Sequence, residues 1–340
     1  MTNLSLYIHK LERRENLSHD EIQDVMHQIM SGHADKEQIA ATLLALRAKG
    51  PTVEEITGAA KIMRKFVVGI KSKHKNILDT CGTGGDKRNT FNISTVSAFV
   101  VAGAGVVVAK HGNRSISSKC GSADLLEAFG VNLNVEEDHL RECLDQVGIV
   151  FLFAQKLHPA MKNVAEIRKE LGVETIFNIL GPLTNPAHAT HQVMGVYNRD
   201  LVEPLVHVLK NLGLKRALVA HGNDGLDEIT TTETSFICEY NGQEIISYDL
   251  NPVELGIPLA KPKDLEGGSL DNNLQIFIDV LSGDHGPKRD IVVLNAAYAL
   301  YVAGKVKEIS EGITVAEDSI DSGKALEKLD ALKRFTKRVM

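Results

Sequence analysis

The sequence predicts an α/β protein: a small all-helical domain followed by a larger α/β domain with a mainly parallel central sheet flanked by helices. Three observations carry that expectation. Residues 1–72 show helical periodicity and no strand pattern. From about residue 73, short apolar runs alternate with helical segments. Polar, glycine-containing loops follow several of those runs. Strand–helix alternation is the pattern of crossover units, and crossovers build parallel sheets with helices on both faces. The expected domains are therefore 1–72 and 73–340.

The helical part is read from its termini. Ser18-x-x-Glu21 and Thr52-x-x-Glu55 have the form of capping boxes, and Gly50-Pro51 separates two helices. Ile22, Val25, Met26 and Ile29 share one helical face; Ile39, Leu43 and Leu44 form another. A domain of this size has a thin core, so packing against a partner chain is expected. In the second part, a strand ending near Leu78 leads into a glycine turn and an apolar helix that Gly103 or Gly105 ends. Val106–Lys110 is the next strand, Ala123–Phe129 a helix capped by Gly130, Glu136–Val147 a helix and Ile149–Phe153 a strand. Pro159–Leu171 reads as a helix with proline in its first turn, and strands Gln192–Tyr197 and Ala217–His221 flank a helix over Leu201–Leu212. Thr234–Tyr240 and Glu244–Leu250 form a hairpin about Asn241-Gly242. Helices over 271–281, 289–304 and 313–337 complete the chain.

Composition narrows the function. The chain has 340 residues, 43% hydrophobic and 24% charged, as in ordinary globular proteins. A net charge of −6 speaks against a general nucleic-acid binder but permits a small anionic substrate in a locally basic cleft. Lys10, Arg13 and Arg14 interrupt the N-terminal apolar run, and Phe99–Ala109 is too short to span a bilayer. No signal peptide, no membrane contact and a cytoplasmic location are expected. Cys81, Cys120, Cys143 and Cys238 have neither zinc-site nor disulfide-framework spacing.

Four stretches carry chemistry. In DTCGTGGDKRNTFNIST (79–95), Gly82, Gly84 and Gly85 let backbone N–H groups approach an anion, and Asn92, Ser94 and Thr95 stand where a helix N-terminus leaves donors unpaired. Asp86 breaks the P-loop pattern and Lys87 the dinucleotide fingerprint. The choice between ligand loop and tight turn stays open, and Asp86 suits a phosphate site only beside a cation or a ribose hydroxyl. KHGNRSISSKCGSAD (110–124) follows a strand and combines Lys110, His111, Arg114 and Lys119 with Asn113, Ser115, Ser117, Ser118 and Ser122. That mixture fits a phosphate and sugar hydroxyls, or a solvated loop. HGNDGLDEITTTE (221–233) brings Asp227 and Glu228, either hard oxygen ligands for Mg²⁺ or a surface pair. In HPAMKNVAEIRKELGVETIFNILGPLTNP (158–186), Arg168 is either a carboxylate clamp or a helix-surface residue. His111, His158 and His221 have no carboxylate partner in sequence and are read as polar loop residues.

Together these stretches, in order across most of residues 79–228, resemble the anthranilate phosphoribosyltransferase family. The resemblance implies transfer of a phosphoribosyl group from phosphoribosyl pyrophosphate to the amine of anthranilate, in tryptophan biosynthesis, with Mg²⁺ as cofactor. It implies that Gly82, Gly85, Asp86, Thr90, Asn92, Ile93, Ser94, Thr95, Lys110, His111, Gly112, Asn113, Arg114, Ser115, Ile116, Ser117, Ser118 and Ser122 hold phosphoribosyl pyrophosphate. It gives Gly82, Asn113 and Arg168 to anthranilate and Ser94, Asp227 and Glu228 to the metal, with Lys110, Asn113 and Arg168 as electrostatic and positioning groups and no acid–base residue. It also implies a homodimer through the helical domain and a return of the chain near 165–185 to that domain, bringing Arg168 to the cleft. Gln155 and Phe129 depart from residues usual in the family and fall on no ligand position. Two rivals share the fold: a pyrimidine-nucleoside phosphorylase, which would need neither the Arg168 segment nor Asp227-Glu228, and a non-catalytic nucleic-acid-binding relative, which would tend to lose the carboxylates and carry a basic surface.

Overall fold

The computed structural model describes residues 4–86, 88–115 and 120–339. The first of these hold four helices, α1 (Leu4–Glu12), α2 (His19–Met30), α3 (Lys36–Lys49) and α4 (Val53–Phe66). Ser18–Glu21 and Thr52–Glu55 open α2 and α4 as capping boxes, and an unanticipated third, Asp35–Gln38, opens α3. Glu55 does more than cap. Its buried carboxylate also accepts from Leu17 N at 2.9 Å and pairs with Lys49 at 2.7 Å, tying the α1–α2 turn to α4. Leu44, expected inside, is 42% exposed, because α1 and α9 take up the other faces of α3.

The rest of the chain runs β1 (Leu78–Gly82), α5 (Ile93–Gly103), β2 (Val108–Gly112), α6 (Ser122–Ala128), α7 (Glu137–Val147), β3 (Ile149–Phe153), α8 (Ala154–Leu157), α9 (Lys162–Leu171), α10 (Phe177–Leu180), β4 (His191–Gly195), α11 (Val202–Asn211), β5 (Arg216–Gly222), β6 (Ser235–Tyr240), β7 (Ile245–Leu250), α12 (Leu270–Leu281), α13 (Pro287–Val302), α14 (Ile309–Asp321) and α15 (Lys324–Arg338). The seven strands lie in the order β3-β2-β1-β4-β5-β6-β7; β1 to β5 are parallel and the β6–β7 hairpin is antiparallel. Strand order reverses between β1 and β4, and there the crossovers diverge to leave a crevice beyond the strands' carboxyl ends.

Three expected helices differ in detail. Pro159–Met161 and Arg199–Leu201 are 3₁₀ turns that precede α9 and α11. The helix expected over 313–337 is two, broken at Ser322-Gly323, where Gly323 has φ +76°. The corner receives the end of α5: a Cβ on Gly103 would strike Ser319 and Ala325, and Ser319 Oγ donates to Val100 O at 2.7 Å.

Each face of the sheet has its own core. One packs α5, α7 and α13–α15 around residues such as Leu78, Val108, Val150 and Leu218. The other joins Ile22, Met26, Ile56 and Leu43 of the helical bundle to Val164 and Ile167 of α9, to Leu205 and Leu209 of α11, and to Met194 and Val219 of the sheet. The bundle's core is thus completed by its own chain, which removes the thin-core premise for a partner. Arg64 of α4 reinforces this seam, donating to Leu183 O at 2.8 Å and Leu212 O at 3.3 Å. Asn163 of α9 reaches Met30 O at 2.8 Å and Glu166 pairs with Lys36.

Candidate active site

Three of the four chemical stretches meet at the switch point. The loop after β5 lies across the carboxyl ends of β1 and β4. It can do so because those ends are glycine: a Cβ on Gly195 would coincide with the Asp227 carbonyl, and one on Gly82 would strike the Asp227 carboxylate. Asp227 accepts from Gly84 N at 2.7 Å, in the glycine turn, and Glu228 accepts from Ser94 N at 3.1 Å, in the first turn of α5. Two carboxylates therefore occupy the two places where backbone donors are aimed at an anion.

Lys110 lies beneath them, buried in the middle of β2. Its Nζ donates to Thr80 O at 2.6 Å and Ser94 Oγ at 3.2 Å, and burial lowers its pKa against the pull of Asp79 and Glu228. Asp79 is wholly enclosed. One oxygen accepts from His111 N at 3.1 Å, the other has no partner, and desolvation pushes its pKa up to about 6. Asp227 and Glu228 keep an accessible edge but are hemmed in by protein. Burial raises both pKa values, Glu228 and Asp86 adding to it at Asp227 while Lys110 and the Ser94 N–H resist it at Glu228. Asp86 completes the cluster, with a buried oxygen lacking any partner.

These carboxylates want a cation. Among the described residues no three His, Cys, Asp or Glu side chains make a metal cage by themselves. Mg²⁺ does not require one, since it binds through one or two carboxylates and keeps sites for water and phosphate. Asp227, Glu228 and the Ser94 hydroxyl are hard oxygen donors, and the orphaned Asp86 oxygen marks uncompensated negative charge beside them.

Other expected residues are differently placed. Ile93 and Thr95 are buried, so Ile93 can offer a ligand only its backbone. Asn92 flanks α5 without capping it, and its Nδ2 donates to Cys120 O at 3.2 Å. Thr90 pairs with Glu266, pinning the glycine loop from outside. Arg114 is engaged by Asp124 at 2.8 Å and by both Glu127 oxygens, at 2.8 and 3.0 Å. Gly112, Asn113, Ser115 and Ser122 fold together at the start of α6, where Ser122 Oγ and Ala123 N donate to Asn113 O. Ile116, Ser117, Ser118 and Lys119 lie outside the described residues.

All three histidines are buried rather than solvated, and only His158 lies in a connection, between α8 and the Pro159–Met161 turn. His111 belongs to β2 and His221 to β5, and His158 is buried beside His111, their Nε2 atoms 3.1 Å apart. Desolvation lowers His111 to about 3 and His158 to about 4, so the pair is neutral and needs complementary tautomers. Arg168 stands apart from the three loops, on α9. It is half-buried, 5.5 Å above the Phe177 ring and 3.4 Å from Asn178 Oδ1, with no acidic partner among the described residues. Sequence reasoning passed over Asp79, an acid inside an apolar strand, and Asn295, an amide inside the apolar run IVVLNAAYAL. Both mismatches are visible signals of a buried polar contact.

The chain matches two family models, "Glycosyl transferase family, helical bundle domain" over residues 5–67 and "Glycosyl transferase family, a/b domain" over residues 74–326. It is 54% identical to the anthranilate phosphoribosyltransferase of Acetivibrio thermocellus, across 97% of this chain and 95% of that one. It is 50% identical to that of Persephonella marina, across 97% and 98%. The solved anthranilate phosphoribosyltransferase of Thermus thermophilus superposes with a TM-score of 0.93 at 39% identity, covering 97% of this chain and 99% of that one. The enzyme from Saccharomyces cerevisiae, in complex with PRPP and Mg, gives 0.91 at 28% identity, with 98% of each covered. By identity over nearly its whole length and by fold, this chain belongs to the anthranilate phosphoribosyltransferases of the glycosyl transferase family.

Proposed function

We propose that this enzyme transfers the phosphoribosyl group of phosphoribosyl pyrophosphate (PRPP) to the amine of anthranilate, giving N-(5-phosphoribosyl)anthranilate and pyrophosphate in tryptophan biosynthesis. The observation that carries the reading is the switch-point crevice, where backbone donors for an anion face carboxylates for a cation. Gly82, Gly85 and Asp86 of the glycine turn and Ile93, Ser94 and Thr95 at the α5 N-terminus would hold the diphosphate, with Asp227 and Glu228 turning from Gly84 N and Ser94 N to the metal. Asn92, Thr90 and the 110–118 and 122 positions would surround phosphate and ribose. Lys110 would act from below, through Ser94 and Glu228. Gly82, Asn113 and Arg168 would hold anthranilate, Arg168 facing its carboxylate.

Ser94, Asp227 and Glu228 would hold Mg²⁺, which supplies charge neutralisation to the leaving diphosphate. The bond from the anomeric carbon to pyrophosphate breaks, the anthranilate nitrogen attacks the opposite face, and the amine loses one proton. An aniline nitrogen needs no prior deprotonation, and the neutral His111–His158 pair is accordingly not assigned as a base. Positioning and preorganised electrostatics supply the acceleration. The yeast enzyme's structures with PRPP and Mg and with 4-fluoroanthranilate support the substrate and metal assignments.

A homodimer through the bundle accords with Leu6 and Leu44, 58% and 42% exposed on the adjoining helices α1 and α3. Light scattering should give twice the chain's mass, falling to one for a Leu6→Asp, Leu44→Asp variant. A cytoplasmic location accords with four buried cysteines held as thiols. Among the described residues, no helix is long and apolar enough to cross a membrane. The deciding experiment follows loss of anthranilate fluorescence with PRPP and Mg²⁺. No loss, together with turnover of thymidine and phosphate, would replace this reading with the phosphorylase.

A further inference from the structure

The Asp227-Glu228 pair sits on a loop that two clamps hold from outside the site. Asn295, in the middle of α13 and 4% exposed, grips the residue immediately after Glu228. Its Oδ1 accepts from Ile229 N at 3.1 Å, while its Nδ2 donates to Ile229 O and to Ile291 O, both at 2.8 Å. Both amide hydrogens are used, and one peptide unit on each side of Ile229 is fixed. On the other flank, Asp224 accepts from Leu226 N at 3.1 Å, from Thr230 Oγ1 at 2.9 Å and from Thr232 Oγ1. Thr230 N is taken by Ser235 Oγ at 2.9 Å.

The same helix α13 also carries α5. Val292 O accepts from Ser97 Oγ at 3.4 Å, and α5 presents Ser94 N to Glu228. Asn295 therefore fixes the Glu228 backbone relative to the helix end that faces its carboxylate. A buried amide that pairs both the N–H and the C=O of one loop residue fixes that residue's position, because without it both groups would be buried and unpaired.

We propose that Asn295 is a positioning residue that holds the Asp227-Glu228 carboxylates in place for a divalent cation. The proposal rests on the reading of the site given above. Asn295 commits its amide to Ile229 and Ile291 and so acts through the loop.

The test compares wild-type enzyme with Asn295→Leu, which keeps volume and helix propensity but cannot bond, and Asn295→Ser, which fits the space and is too short to reach Ile229. Mg²⁺ is titrated calorimetrically in the presence of PRPP and without anthranilate, and deuterium uptake is followed over residues 222–234. Loss of a partner that orients metal ligands lowers metal affinity by about ten- to a hundred-fold. That weakening is expected in whichever variant folds, with faster exchange at Ile229 and Thr230 and an unchanged KM for anthranilate at saturating Mg²⁺. Wild-type Mg²⁺ affinity in a folded variant overturns the proposal. So does a uniform loss of thermal stability and kcat with Mg²⁺ affinity intact, which marks a structural role only. A wild-type enzyme inactive on anthranilate and PRPP would instead overturn the reading of the site.

Discussion

Arg168 is a half-buried cation whose described partners are one long hydrogen bond and an aromatic face. A desolvated guanidinium without a carboxylate is costly, and a planar carboxylate is the ligand its fork matches. Arg168→Ala should raise the KM for anthranilate by about ten- to a hundred-fold, the worth of a charge-assisted bidentate contact, and that for PRPP far less. Equal increases in steady-state assays would remove the assignment. At Glu228, burial and neighbouring acids favour the protonated form while Lys110 and Ser94 N favour the carboxylate. Glu228→Gln keeps the shape and deletes the charge, and should weaken Mg²⁺ binding about ten-fold or more by calorimetry. An unchanged titration curve would take the metal from this residue. Glu228 was legible as a strand-end residue, because polar side chains clustered after an apolar run betray a loop there, and Arg168 falls in the helix that proline and periodicity indicate before Leu171. The histidines were misread, since burial of His111 and His158 depends on each meeting the other across the fold.

The loop after β5 is the element on which the site depends, and glycines beneath it are what admit it. Gly195 ends β4 with no space for a Cβ below the Asp227 carbonyl. Gly195→Ala should force the loop off the strand ends, costing about 1–3 kcal/mol of stability and most of the turnover. Wild-type kcat in a folded Gly195→Ala enzyme would mean the loop does not need this seat. Gly195 is an ordinary strand-end glycine in sequence, for the atom that excludes a side chain there comes from residue 227. The β6–β7 hairpin and β3 were readable because Asn241-Gly242 and an unbroken apolar run are local signals. The division of α14 from α15 was also written locally, at Ser322-Gly323, but helical periodicity on both sides masked it. Asp35 caps α3 with Gln38 although it lacks the Ser/Thr-x-x-Glu form of the other two boxes, since an aspartate oxygen accepts from the same N–H group.

At the scale of the whole molecule, two cores on opposite faces of one sheet join the helical bundle to the α/β body. The family resemblance implies only the return near 165–185, and no local pattern shows that α11 also contributes to the bundle's core from far along the chain. The His111–His158 pair ties the end of β2 to the segment that leads into α9, and it makes this architecture sensitive to acid. Unfolded, each histidine titrates near 6.5; folded, desolvation holds them neutral down to about 3 and about 4. Between those values the unfolded chain binds more protons, so stability falls as pH drops below about 6.5. Asp79, raised to about 6, works in the opposite direction by taking its proton more readily when folded. A single substitution separates the two. His158→Gln retains a neutral hydrogen-bonding group beside His111 but cannot ionise. A pKa lowered from 6.5 to about 4 corresponds to about 2–3 kcal/mol between pH 7 and pH 4.5. Urea-unfolding free energies at those two pH values should therefore converge by about that amount in the variant relative to wild type. Parallel pH dependences for the two proteins would show that His158 is already protonated in the folded chain, and that the joint between strand β2 and helix α9 tolerates a charge.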